Sequence, residues 1–259
     1  MKAIQHNLLD DYHLLSYDVL DSTNEEAKRL AGGGASHGAV IWAKRQTVGK
    51  GRMGREWASP EGNLYVSVLL CPPCQLQECS QLSFVAAVAA LHTVEPIISD
   101  GGAVECKWPN DILHDGKKLG GILLESFTTL DEYGKDKQWV VVGIGLNIDS
   151  FPEHTPFPAT CLRASGVEII SAKIVLSRFV YNFIHTYDSW QKNGFDTIRA
   201  QWTESAYRLG HPTEVAMGDT HFSGTFQGID TQGRMLLQLS SGEIKTITAG
   251  DVLFKESGA

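Results

Sequence analysis

A chain of 259 residues with 42% apolar and 20% charged side chains has the composition of a globular protein, not of a disordered or collagen-like one, and is long enough for a sizeable buried core. Its formal net charge of -8 argues against a surface built for general adhesion to DNA or RNA, so local clusters of cations are more informative than the total. The first residues carry neither a signal-peptide pattern nor an Arg-rich transit pattern, and no apolar run reaches membrane-spanning length, so neither export nor membrane insertion is expected.

In chain order, LLSYDVL alternates as a strand and leads into DSTNEEAKRLA, where Ser22 with Glu25, or Thr23 with Glu26, forms a capping box for a helix that stops at Gly32-Gly33-Gly34. AVIWAKRQ is a second strand, and NLYVSVLL, beyond a basic loop, a third. SQLSFVAAVAALHTVEP has helical periodicity from near Ser80 and ends at Pro96. A short strand VECKW, a Trp108-Pro109-Asn110-Asp111 corner and ILHDGKKL follow, the last with the two-residue hairpin turn Asp115-Gly116. GGILLESF and WVVVGIGLNI are two more strands joined by a polar loop, TTLDEYGKDKQ. Two helices, SAKIVLSRFVYNFIHTYDSWQ and FDTIRAQWTESAY, precede a tail from Leu209 whose short strands and glycines predict a small β-barrel. The pattern divides the chain into residues 1–208 and 209–259.

An odd count of five cysteines fits reduced thiols in a cytosol better than a disulfide framework. Cys71-Pro-Pro-Cys74 has redox-motif spacing but lies after a strand with no helix opening on it, and the nine histidines form no zinc pattern.

The stretch VGKGRMGREW interleaves Gly49, Gly51 and Gly54 with Lys50, Arg52 and Arg55. Gly49-x-Gly51-x-x-Gly54 matches the dinucleotide fingerprint, but Pro60 and Gly62 interrupt where a helix should follow, and no acidic residue stands about 20 positions on. Kinase and Walker loops fail as well. What remains is a flexible cationic loop able to wrap an anion, with Trp57 offering a ring face; the alternative is a solvated surface loop. KWPND places Lys107 at a strand end, and KKLGG brings Lys117 and Lys118 back along the hairpin, which suits phosphate; edge-strand lysines that discourage aggregation are the alternative.

Taken in order, Asp21-Ser22-Thr23-Asn24, Gln46, GKGRMGREW, KWPND, KKLGGILLE and GIGLN (Gly143 to Asn147) resemble the biotin protein ligase family, from about residue 15 into the glycine-rich tail. The resemblance implies an α+β fold, a mixed, mainly antiparallel sheet flanked by helices as in class II synthetases, followed by an SH3-like β-barrel. It implies ATP-dependent formation of biotinyl-5'-AMP and transfer of biotin to a lysine of a biotin carboxyl carrier protein, such as that of acetyl-CoA carboxylase, with Mg²⁺ accompanying ATP. It also implies a cytoplasmic enzyme and, less directly, a homodimer. Carried over residue by residue, Lys118 and Arg52 are catalytic. Ser22, Thr23, Asn24, Gln46, Lys50, Gly51, Arg52, Lys118, Gly143 and Gly145 bind biotin. Arg52, Arg55, Trp57, Lys107, Asn110, Lys118 and Asn147 bind ATP. Gly143 and Gly145 are expected to keep a strand bare for biotin's bicycle, and Trp57 to pack against adenine. Glu125 and Asp111 are candidate Mg²⁺ ligands or structural carboxylates. Lys117, on the opposite strand face from Lys118, points outward.

One departure stands out: the family loop reads Gly-Arg-Gly-Arg, and Lys50 here keeps the charge without the planar fork. A lipoate ligase shares the chemistry but carries an RRxSGGG-like segment, and Gly32-Gly33-Gly34 lacks its arginines. A repressor function needs an N-terminal winged helix of about 60 residues, for which a motif beginning at Asp21 leaves no room, so no DNA partner is expected. A third reading makes the C-terminal barrel an interaction module.

Overall fold

The structure, a computed structural model, describes residues 4–9, 11–98, 101–131, 133–168 and 170–253. Strands β1 (Ile4–Leu9), β2 (Tyr12–Leu20), β3 (Ala39–Gln46), β4 (Leu64–Leu70), β5 (Val104–Lys107), β6 (Asp111–His114), β7 (Lys117–Leu130) and β8 (Asp136–Leu146) form one sheet, ordered β1-β2-β3-β4-β8-β7-β6-β5. Neighbours pair antiparallel except β2 and β3, which run parallel because helix α1 (Thr23–Gly32) carries the chain back between them.

Strand alternation sends Val140, Val142, Ile144 and Leu146 of β8 into the main apolar core, while Trp139 and Val141 join a smaller core with Ala27 and Ala31 of α1. The main core is covered by α3 (Leu82–Val94), which is apolar all round and buried almost throughout, and by α4 (Ala172–Asn193) and α5 (Phe195–Glu204) outside it. Ser171 caps α4, its hydroxyl accepting from Ile174 N at 3.3 Å, and Gly194 with φ 77° turns the chain into α5.

A second antiparallel sheet holds β9 (Pro212–Met217), β10 (Thr220–Ile229), β11 (Met235–Gln238), β12 (Ile244–Ile247) and β13 (Asp251–Leu253), in the order β12-β11-β10-β9-β13. Its apolar residues, among them Val215, Phe226, Met235, Leu237 and Ile247, continue the main core. At the junction the Trp108 indole donates to Gly233 O at 3.0 Å, and Gly233, in a positive-φ turn, lies so close to the Phe84 ring that a side chain would collide with it.

Three details differ from the sequence reading. No capping box forms at α1: Ser22 is the N-cap in extended conformation, but its side chain makes no cap bond, and the Thr23 and Asn24 side chains turn to partners on the sheet. Residues 128–138 are mostly strand rather than loop, since Thr128 and Thr129 pair with Gln138 and Lys137 and the Trp139 indole donates to Thr129 Oγ1 at 2.9 Å. An additional helical turn, α2 (Leu76–Cys79), precedes α3 and carries the capping box of Gln75 and Glu78. The hairpin turn stands as read, with Asp115 at φ 47° and Gly116 at φ 68°.

Candidate active site

The site lies on the α1 face of the sheet and begins with three buried polar residues at the start of that helix: Ser22, Thr23 and Asn24, each under 5% exposed. Asn24 reaches across the sheet because Gly143 of β8 has no side chain; a Cβ there would run into the Asn24 amide. Asn24 Nδ2 donates to Glu125 Oε2 at 2.7 Å, and its Oδ1 is 2.6 Å from Ser67 Oγ, a fully buried hydroxyl on β4. Ser67 Oγ is also 2.7 Å from Thr23 Oγ1, and Thr23 N donates to Gln46 Oε1 at 2.8 Å. Gln46 Nε2 donates to Ser59 Oγ at 2.9 Å, and Ser59 donates to Trp57 O at 2.7 Å. Buried polar groups are thus paired in a continuous chain that starts on β7 and ends in the glycine-rich loop.

The loop is a small hairpin of its own. Gly51 N donates to Arg55 O at 2.7 Å, Trp57 N to Gly49 O at 3.0 Å, and Met53 (φ 55°) with Gly54 (φ 73°) supplies the left-handed turn. Gly49 packs against Trp57 O and Ser59 where a Cβ would collide. Lys50 Nζ pairs with Glu25 Oε1 at 2.6 Å, and Glu25 also meets Lys28, which in turn meets Glu125 Oε1 at 2.7 Å. These cations hold the Glu25 carboxyl below its usual range, the bond from Lys50 first among the causes. Arg55 pairs with Asp251 of the second sheet at 3.0 Å. Arg52 turns inward, donating to Asn110 Oδ1 at 3.1 Å, and burial lowers its pKa.

Trp57 lies flat on the sheet where glycines replace side chains: a Cβ on Gly145 would stand 2.6 Å from its Nε1 and one on Gly121 3.2 Å from its ring. Its Nε1 is buried with no hydrogen-bond partner among the described residues. The bareness expected to admit a ligand's rings at Gly143 and Gly145 is therefore taken up by Asn24 and Trp57.

Beside the indole stands Lys118, its Nζ 5.4 Å from the ring centroid and 2.6 Å from Asp111 Oδ1. A register shift makes this possible: β6 pairs Ile112 with Gly120 but Leu113 with Lys118, so Leu119 is an extra residue that re-aims Lys118. Lys107 is 8% exposed with its Nζ 3.7 Å above the Phe157 ring, and burial, opposed by Asp111, lowers its pKa to about 8. Asn110 Nδ2 holds Ile122 O at 2.6 Å, and Asn147 Nδ2 holds Thr160 O at 3.0 Å, fastening the segment that contains Phe157 against β7.

Thr23, Asn24, Gln46, Gly143, Gly145, Trp57, Lys118, Arg52 and Asn110 thus form one contiguous surface, with Ser22 at its helix cap. Lys50 and Arg55 stand apart, held by Glu25 and Asp251, and Asn147 acts on the neighbouring segment. Sequence reasoning did not find Ser67, Ser59 or Phe157, common residue types placed here by sheet register or loop closure, and read Glu25 as a capping-box residue, where the structure pairs it with Lys50 and Lys28 instead. Neither Glu125 nor Asp111 is disengaged, and among the described residues no group of three or more His, Cys, Asp or Glu could hold a metal ion.

Amides and hydroxyls at one end suit a polar, uncharged group, and fixed cations at the other suit anions. Residues 16–147 match the Biotin/lipoate A/B protein ligase family, and residues 209–255 match the Biotin protein ligase C terminal domain. The chain is 36% identical over 245 residues to the bifunctional ligase/repressor BirA of Bacillus subtilis (strain 168), covering 93% of this chain and 73% of that protein. It is 35% identical over 239 residues to the biotin--[acetyl-CoA-carboxylase] ligase of Paracoccus denitrificans, covering 90% and 97%. The solved structure of biotin protein ligase from Aquifex aeolicus in complex with biotin and ATP is similar with a TM-score of 0.77 at 29% identity, over 94% of this chain and 99% of that one. The chain belongs to the biotin/lipoate A/B protein ligase family.

Proposed function

We propose that the chain is a biotin protein ligase, joining biotin to ATP as biotinyl-5'-AMP and passing the biotinyl group to a lysine of a biotin carboxyl carrier protein. The observation that carries this reading is the succession, on one sheet face, of the Thr23–Asn24 polar cluster, the Trp57 indole and the Lys118 ammonium. The relatives named above are biotin ligases, which favours biotin over lipoate.

The residues divide the work by chemistry. Ser22, Thr23, Asn24 and Gln46 meet the ureido head, whose donors and acceptors suit hydroxyls and amides. Lys118 and Arg52 draw the biotin carboxylate and the α-phosphate together, offsetting the repulsion between two anions. A carboxylate oxygen then bonds to the α-phosphorus as the bond to the pyrophosphate oxygen breaks. In the second step the carrier's neutral lysine amine attacks the acyl carbon, AMP leaves with the bonding pair, and the amine's proton passes to solvent. Trp57, Lys107, Asn110, Asn147 and Arg55 serve the nucleotide, Gly51 permits close approach, and Gly143 and Gly145 serve biotin indirectly by seating Asn24 and Trp57.

Lys50 serves biotin indirectly in this reading: its bond to Glu25 anchors the loop, the task an arginine fork would share with ligand contact. Mg²⁺ accompanies the ATP phosphates; the described carboxylates do not form a cage for it, and no step is assigned to it. The enzyme works in the cytoplasm on the carrier of acetyl-CoA carboxylase or a related carboxylase, with no DNA or membrane partner, and pairs as a homodimer through its catalytic sheet. No helix among the described residues is long and apolar enough to cross a membrane. Labelled biotin offered with candidate carrier domains tests the reading: label should enter one lysine only when ATP is present, and carriers that stay unlabelled with ATP would refute it.

A further inference from the structure

We infer that Glu125 is a positioning residue that sets the donor and acceptor polarity of the pocket for the acid's head. The inference rests on the ligase reading and concerns how the pocket selects a cyclic urea.

Glu125 Oε1 is held by Lys28 Nζ at 2.7 Å, and Oε2 meets Asn24 at 2.7 Å. An ionised carboxylate can only accept, so Asn24 must turn its Nδ2 toward Glu125 and its Oδ1 toward Ser67, 2.6 Å away. Ser67 has a single hydrogen, and Asn24 Oδ1 takes it. The 2.7 Å contact between Ser67 Oγ and Thr23 Oγ1 joins two hydroxyls, either of which can donate, so here the hydrogen comes from Thr23. Gln46 Oε1 is then served by Thr23 N at 2.8 Å, and the far end closes through Gln46 Nε2, Ser59 and Trp57 O, which accepts only. Glu125, with Leu123 O accepting from the same Nδ2 at 3.4 Å, orients the Asn24 amide, and the shorter of the two contacts of Thr23 Oγ1, 2.7 Å to Ser67 against 3.2 Å to Gln46 Oε1, carries its hydrogen. Thr23 Oγ1 and the remaining lone pair of Asn24 Oδ1 are left as acceptors, the complement of the two N–H groups of a cyclic urea.

Glu125→Gln reverses this polarity. With Lys28 still beside it, the new amide turns its oxygen to the ammonium and its NH₂ to Asn24, two donors face to face; Asn24 flips and presents a donor to the ligand. Adding Lys28→Met frees the new amide to turn its oxygen to Asn24, which restores the original polarity without the ion pair.

The test is biotin-dependent ATP–pyrophosphate exchange by the full chain and its Glu125→Gln, Lys28→Met and doubly substituted forms. Glu125→Gln should raise the KM for biotin at least about tenfold, with kcat and the KM for ATP within about twofold. Lys28→Met alone and the double variant should lie within about threefold of the unaltered chain. A biotin KM unmoved by Glu125→Gln, a rise shared equally by ATP, or a double variant no better than the single would overturn the inference. If the unaltered chain gave no exchange with biotin, the ligase reading would fall and this inference with it; exchange in the unaltered chain isolates the inference from that reading.

Discussion

Lys107 and Lys118 are both strand-end lysines facing one site, yet their surroundings give them different work. Lys118 pairs with Asp111 and stands over the Trp57 ring at partial exposure, whereas Lys107 is buried deeply enough that its pKa falls to about 8 despite the opposing charge of Asp111. Lys118→Ala should therefore lower kcat for adenylate formation about 10²–10³-fold with the fold retained, as loss of one preorganised charge does; normal pyrophosphate release in that variant would contradict the assignment. For Lys107 the sign follows from burial: the ammonium needed for phosphate is present below pH 8 and lost above it. The KM for ATP should rise about tenfold between pH 7 and pH 9, and Lys107→Arg, which stays charged, should flatten the rise. At this scale sequence motifs singled out Lys118 and Asn24, and Glu125 only as a candidate metal ligand or structural carboxylate; its bond to Asn24, and the place of Ser67, which no motif marks, come from sheet pairing that brings β7 and β4 under Asn24.

The glycine-rich loop is held at several points that differ in strength. Arg55–Asp251 joins two well-exposed groups and should contribute less than about 1 kcal/mol, so Asp251→Asn should barely change thermal stability. Trp57 on Gly145 is a tighter constraint, since a methyl group there would meet the indole at 2.6 Å. Gly145→Ala should displace Trp57 and raise the KM for substrates while leaving the sheet intact; unchanged kinetics would show that the indole's seat does not matter. If the loop closes over the adenylate, as expected of a site that must keep a mixed anhydride dry, biotin with ATP should protect residues 48–60 from protease, and unchanged nicking would count against closure. Element boundaries were legible where turn chemistry is explicit, as at Asp115-Gly116. They were not legible over residues 128–138, where polar side chains on an antiparallel ladder read as loop. Nor was the extra Leu119 that aims Lys118, because a bulge leaves no mark in an apolar-glycine run.

Across the whole molecule, the tail read as a separate barrel shares its core with the catalytic sheet's helices, through Phe84, Trp108 and Gly233 among others. The change of texture falls at Leu209 and the second sheet begins at Pro212, but a composition shift cannot report whether two sheets share one core. Calorimetry should therefore show a single cooperative transition, and two separated transitions would contradict a shared core. Above all of this stands the claim that a polar pocket and a pair of cations on one sheet face gather biotin and ATP to react. The most direct measurement is ATP–pyrophosphate exchange by the purified chain with biotin, with lipoate and with neither: biotin alone should drive exchange, and exchange driven by lipoate instead, or by no acid at all, would contradict the account.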